Sequence, residues 1–157
     1  MSAFIPPDLG QLTSLKTLVL RGNLIFGAIP PEVANLPKLE KFDVAQNRMT
    51  GSIPWFASPF LRLFDASRNM FSGSLSNDVG HYHKSIEIFD ILANSLTGTL
   101  PQSFDQMKNL QTLSLSENSF SGTLPANLGN LAKLEFLYIG KLMLNRQHFR
   151  FFFCQGL

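Results

Sequence analysis

Leu110-Gln111-Thr112-Leu113-Ser114-Leu115-Ser116-Glu117-Asn118 is the stretch on which the fold of this chain turns. Its pattern is L-x-x-L-x-L-x-x-N, and Met107 extends the apolar series one step upstream. Asn94, Asn69, Asn47 and Asn23 stand in the same setting, so successive copies lie 24, 25, 22 and 24 residues apart. A near-fixed period of about two dozen residues specifies a stack of like units, not one globular core.

Within each copy the L-x-L alternation is strand periodicity, with two apolar side chains turned inward. A three-residue strand cannot stand alone. Six of them stacked in parallel form a sheet over a continuous apolar column. The chain turns inward at the asparagine, whose amide is expected to satisfy backbone groups of adjacent turns. Asn23, Asn47, Asn69, Asn94 and Asn118 are therefore predicted to form a structural ladder. Gly27, Gly51, Gly73, Gly98 and Gly122 follow each asparagine by four residues, which suits a tight bend. Pro30, Pro54, Pro101 and Pro125 then end strand pairing on the outer side, with Ser76 in that slot of the third unit.

The first full unit begins at Leu12, and residues 4–10 match the back half of a unit whose front half is missing. That start reads as a truncation. The sixth unit opens with Leu131, Leu134, Leu137 and Ile139, but Leu142 stands where asparagine is expected. Residues 1–141 are thus assigned to the repeat domain and 142–157 to an aberrant tail. The tail carries Phe149, Phe151, Phe152 and Phe153, with no strand pattern or glycine–proline punctuation. Two readings stand: a foreign end, or an aromatic lid over the last coil. Length changes fall on the outer side, near Trp55–Pro59 in the short unit and Asn77–Lys84 in the long one.

Bulk properties narrow the function. The net charge is only +2, and no basic stripe of the kind nucleic-acid binding needs is present. No apolar run approaches the roughly 20 residues of a membrane span. The opening residues show no secretory signal, and no asparagine heads an N-x-S/T triplet. Cys154 is the single cysteine, without a thiol partner or a recognisable base. No phosphate-cradling loop, kinase motif or G-x-S-x-G elbow occurs, so no catalytic role and no cofactor are expected.

The full unit, L-x-x-L-x-x-L-x-L-x-x-N-x-[LFM]-[ST]-G-x-[IL]-P, resembles the plant-specific class of leucine-rich repeats. Asn118-Ser119-Phe120-Ser121-Gly122-Thr123-Leu124-Pro125 and Asn47-Arg48-Met49-Thr50-Gly51-Ser52-Ile53-Pro54 carry the likeness, which covers about residues 4–141. That class builds the ectodomains of plant receptor-like kinases and receptor-like proteins, and polygalacturonase-inhibiting proteins. The resemblance implies a right-handed solenoid with a parallel sheet of about six short strands on its concave side. It implies a mostly irregular or 3-10 convex side, and an extracellular or plasma-membrane location. It also implies a concave surface that binds a peptide or protein, a co-receptor among the candidates, in signalling. The chain departs from the class in lacking paired-cysteine caps, and it resembles an internal slice of such an ectodomain. The competing readings are a wall-enzyme inhibitor and a non-functional gene fragment.

Candidate ligand-binding residues lie between and just after the strand leucines. Asp43, Asp65 and Asp90 occupy the slot four before the asparagine, where Val19, Ser114 and Tyr138 also stand. In adjacent strands they would sit about 4.8 Å apart. Their repulsion is expected to be relieved by Lys41 and Arg68, or by a cationic ligand group. An acidic track for a basic partner is one reading; aspartate as a soluble residue on an exposed strand is the other, and carries more weight. Leu63, Ile88, Leu92, Phe136 and Tyr138 complete a partly apolar inner face suited to protein partners. His81 and His83 form an H-x-H pair without a third ligand, and His83 fills an apolar slot of the repeat. A packed loop histidine is expected there, not a metal site.

Overall fold

The structure, a computed structural model, describes residues 3–140 and the backbone of Met143–Leu144. Six three-residue strands, Thr17–Val19, Lys41–Asp43, Leu63–Asp65, Ile88–Asp90, Thr112–Ser114 and Phe136–Tyr138, form one parallel sheet in chain order. Register follows the repeat: Leu18, Phe42, Phe64, Phe89, Leu113 and Leu137 are paired in one row. This is the stacked parallel-sheet solenoid that the repeat specifies.

The middle residue of each strand points into the core. In the second to fourth coils that residue is phenylalanine, and the rings stack: Phe42 on Phe64 at 5.7 Å, Phe64 on Phe89 at 5.3 Å. Phe56 closes the same group from the outer wall, 4.8 Å from Phe42. All four rings are buried. A pile of aromatic rings at these spacings adds to the area term, at about 0.5–1.5 kcal/mol per pair.

The asparagine ladder forms as the sequence predicts. Each amide donates to carbonyls of its own coil and of the preceding one: Asn47 to Leu20 and Val44, Asn69 to Val44 and Ala66, Asn94 to Ala66 and Ile91, Asn118 to Ile91 and Leu115. Each side-chain oxygen accepts one N–H from the coil before, at Ile25, Met49, Phe71 and Leu96. Each amide also reaches the carbonyl two residues back, so one side chain ties four backbone groups across two coils. Asn23, at the first strand of the sheet, bonds to Leu20 and Arg21 of its own coil among the described residues.

The residue before each asparagine is left-handed: Gly22 at φ 72°, then Gln46, Arg68, Ala93 and Glu117 at 54–57°. A non-glycine residue here costs roughly 1–2 kcal/mol, which the ladder must hold in place.

Two expectations need correction. The bend after the asparagine is not merely a turn, because short parallel pairs form there: Phe26–Gly27 with Arg48–Met49, and Ser72–Ser74 with Ser95–Thr97. The outer side is otherwise as expected, with 3-10 helices at Pro7–Gln11, Gln102–Gln106 and Ala126–Asn130, and single α-turns at Pro31–Ala34 and Val79–Tyr82. The second correction concerns the chain after Gly140, where the sequence pattern predicts no strand. Met143–Leu144 pairs in parallel with Ser121–Gly122. That pairing repeats the stagger of Phe26 with Arg48, so backbone order continues past the imperfect copy. Leu142 and residues 145–157, with the lid reading and Cys154, lie outside the described residues.

Candidate functional site

The open face of the six-stranded sheet is built from the residues flanking each core-pointing position. Thr17, Lys41, Leu63, Ile88, Thr112 and Phe136 are paired along one row, and Val19, Asp43, Asp65, Asp90, Ser114 and Tyr138 along the next. Both rows match the slots read from the sequence. Phe136 and Tyr138 are half exposed at the last of these strands, and Val19 at the first. Between them Lys41, Leu63, Ile88 and Leu92 are partly exposed.

The aspartates differ from expectation. Asp43 and Asp65 are buried, at 5% and 8% exposure, and Ser114 is buried too. Each carboxylate curls down to accept an N–H two residues on: Ala45 to Asp43 at 3.2 Å, Ser67 to Asp65 at 3.0 Å, Leu92 to Asp90 at 2.9 Å. The Ser67 hydroxyl also donates to Asp65 at 2.7 Å. Aspartate therefore serves here as a cap for the chain leaving the strand, and the reading of a solvated exposed residue is replaced.

Their cation is also different. Arg21 donates through Nε to Asp43 at 3.1 Å and through Nη2 to Asp65. Lys41 and Arg68, expected as counter-ions, make none of the side-chain ion pairs seen with these aspartates. Burial by itself lowers the Arg21 pKa, but its hydrogen bond to Asp43 and the charges of Asp65 and Asp43 outweigh that and leave it raised. Asp90 lies beyond this clamp. Burial pushes its carboxyl up, the Leu92 N–H opposes, and nearby Asp65 pushes the same way as burial. A reading of the repeat misses Arg21 because it stands in a slot, two before the asparagine, that is small in the next two coils (Ala45 and Ser67).

A second feature borders the face. The residue preceding each strand is Lys16, Glu40, Arg62, Glu87, Gln111 and Glu135. Charges alternate over the first four, with Lys16–Glu40 at 2.7 Å and Arg62–Glu87 at 3.7 Å. The hydrogen bond from Lys16 lowers the Glu40 pKa. These pairs are largely exposed, so solvent screening leaves each with little effect on stability. Strand spacing brings them together, as it does any cross-strand pair.

His83 is packed as expected, at 4% exposure, and burial pushes its imidazole down to about 4. His81 instead sits at the surface, 3.4 Å from Asp78. The pair of histidines does not converge. No helix among the described residues is long and apolar enough to cross a membrane.

Comparison with known proteins agrees with this architecture. The Leucine rich repeat family profile matches residues 84–141, and a second Leucine Rich Repeat profile matches residues 14–36. Receptor-like protein 41 of Arabidopsis thaliana is 33% identical over 117 residues, spanning 73% of this chain and 13% of that protein. Among solved structures, the ectodomain of the Arabidopsis thaliana receptor kinase GASSHO1/SCHENGEN3, in complex with CASPARIAN STRIP INTEGRITY FACTOR 2, superposes with a TM-score of 0.86. Its identity is 35%, over 91% of this chain and 17% of that one. The Arabidopsis receptor kinase HAESA, in complex with the peptide hormone IDA and the co-receptor SERK1, gives 0.85 and 32% identity, over 91% of this chain and 24% of that one. The chain thus spans between about one eighth and one quarter of the length of these proteins.

Proposed function

We propose, from the premise that this chain belongs to the leucine-rich repeat family, that it is a non-catalytic recognition module binding an extended peptide along the open face of its sheet. One observation carries the reading. Lys41, Leu63, Ile88, Thr112 and Phe136 form a solvent-reachable row across five strands, with Tyr138 and Leu92 beside it. The row is mixed in polarity and spaced at about 4.8 Å, which lets successive peptide side chains meet successive coils. Partly apolar faces with aromatic anchors suit protein and peptide partners.

The similar ectodomains named above are in complex with such ligands, a peptide hormone and a co-receptor in one case. That supports placing this chain in receptor-type recognition, outside the cell or at the plasma membrane, as part of a longer solenoid. Asp43 and Asp65 are assigned to structure, since Arg21 and backbone N–H groups already occupy them. The contact residues are then Lys41, Ile88, Leu92, Phe136 and Tyr138, with Asp90 as the carboxylate lying outside the Arg21 clamp. Selecting displayed peptides on the immobilised chain tests the proposal. Binders should compete with one another and be lost on substitution of the face, whereas binders indifferent to the face would overturn it.

A further inference from the structure

We propose that His83 makes the outer wall leading into the fourth coil an acid-opened segment, which swings out and uncovers Phe56 and the face of Trp55 on which Tyr82 rests. The slot eleven residues before Asn47, Asn69, Asn94 and Asn118 faces inward: Leu36, Ser58, His83 and Met107 hold it, with Leu131 in the corresponding place of the sixth coil, and all five are buried. Apolar side chains fill it in the second, fifth and sixth of these coils, so Ser58 and His83 interrupt the column in the very units of irregular length. The Ser58 hydroxyl accepts the Phe60 N–H at 3.3 Å. The Nδ1 of His83 has no hydrogen-bond partner. Beside it lies a cavity of about 20 Å3, lined by Ile53, Pro54, Trp55, Leu75, Val79 and neighbouring rings. A buried polar atom without a partner already weighs against this packing.

Protonation makes the conflict worse, since no charged side chain lines that space. On the same segment, Asp78 and His81 pair with each other at the surface, and Tyr82 is half exposed, as Lys84 is exposed. The following coil presents Asp105 on the 3-10 helix Gln102–Gln106. The preceding stretch, residues 53–59, carries no titratable group, nor do Phe64, Phe89, Leu75 or Ser76. Burial is accordingly the single cause that lowers the His83 pKa to about 4. An imidazolium there has no counter-ion and must move to water.

The covering structure is slight. It is the single helical turn Val79–Tyr82, held to the next coil by the Gly80 N–H to the Ser103 hydroxyl at 3.0 Å, and capped by Tyr82 on Trp55 at 5.3 Å. The ladder bonds of Asn69 and Asn94 lie on the sheet side, so the segment can open while the sheet persists.

Trp55 is the single tryptophan and reports the event. Its emission should change between pH 6.5 and 4 while far-ultraviolet dichroism holds, with the open population rising by up to about tenfold per pH unit. His83→Met, which places in this slot the residue type that Met107 supplies in the fifth coil, should give a flat trace, as should His83→Leu. The same change in both variants, or a flat trace in the wild type, overturns the proposal. A proton NMR titration of the wild-type histidines needs no variant: a His83 imidazole titrating near 6.5 without change at Trp55 also overturns it.

Discussion

The guanidinium of Arg21 reaches past Asp43, one coil away, to bond Asp65, which is 44 residues distant in sequence. Arg21 is partly exposed while both carboxylates are buried, so its removal leaves two negative charges with only backbone and hydroxyl partners. Solvent reaches the arginine, which moderates the effect. Arg21→Met should lower stability by about 1–2 kcal/mol in urea denaturation, and Asp65→Asn added to it should recover part of the loss. An Arg21→Met protein as stable as the wild type would show the clamp to be incidental.

Positions along the ladder should differ in a defined order. Asn118→Ala strands the Leu96 N–H and the carbonyls of Ile91 and Leu115 in a buried setting, at about 1–3 kcal/mol. Asn23→Ala loses two exposed bonds within its own coil among the described residues and should cost under about 1 kcal/mol. Equal losses at the two sites, measured as urea midpoints at constant slope, would contradict the interlock.

Ala93 sits at φ 54° before Asn94. Glycine relieves the left-handed penalty of about 1–2 kcal/mol but loses about 0.5–1 kcal/mol of chain entropy, so Ala93→Gly should stabilise by about 0.5 kcal/mol. Ala93→Val should destabilise, because a β-branched residue tolerates that region worst. Thermal midpoints of the two variants should move in opposite directions.

His83 sets a pH dependence whose sign follows from its lowered pKa. Its ordinary value is 6.5 and its folded value is about 4, so the unfolded chain takes up the proton first. Stability from this group is complete above pH 6.5 and falls as pH drops toward 4, by about 3 kcal/mol in all. The difference between wild type and His83→Met, measured by denaturant at pH 7 and at pH 4.5, isolates it from the carboxylates. A difference independent of pH would contradict this account.

The repeat made the architecture legible. Five asparagines fixed the register, and the rows through Asp43 and Lys41 pair as their slots require. What stayed hidden has a physical origin in each case. Burial of Asp43 and Asp65 depends on the chain bending after the strand, which alternation alone does not encode. Arg21 is a single departure from the repeat, and a periodic reading averages such residues away. The outer pairing at Ser72–Ser74 was obscured because Ser-Gly-Ser has little strand propensity; position in the stack, not side-chain preference, makes it a strand. Pairing of Met143 with Ser121 likewise comes from the preceding coil serving as template.

The proposed recognition surface is the open face of the sheet, on the row through Ile88 and Phe136. The most direct measurement is the Kd of a peptide selected on the wild-type chain, compared between Ile88→Asp, Tyr138→Ala and the outer-wall change Gln102→Ala, each checked for an unchanged melting temperature. The account predicts binding weakened about tenfold or more by each of the first two and unchanged by the third. Affinity that is indifferent to Ile88 and Tyr138, or that is lost with Gln102, would contradict it.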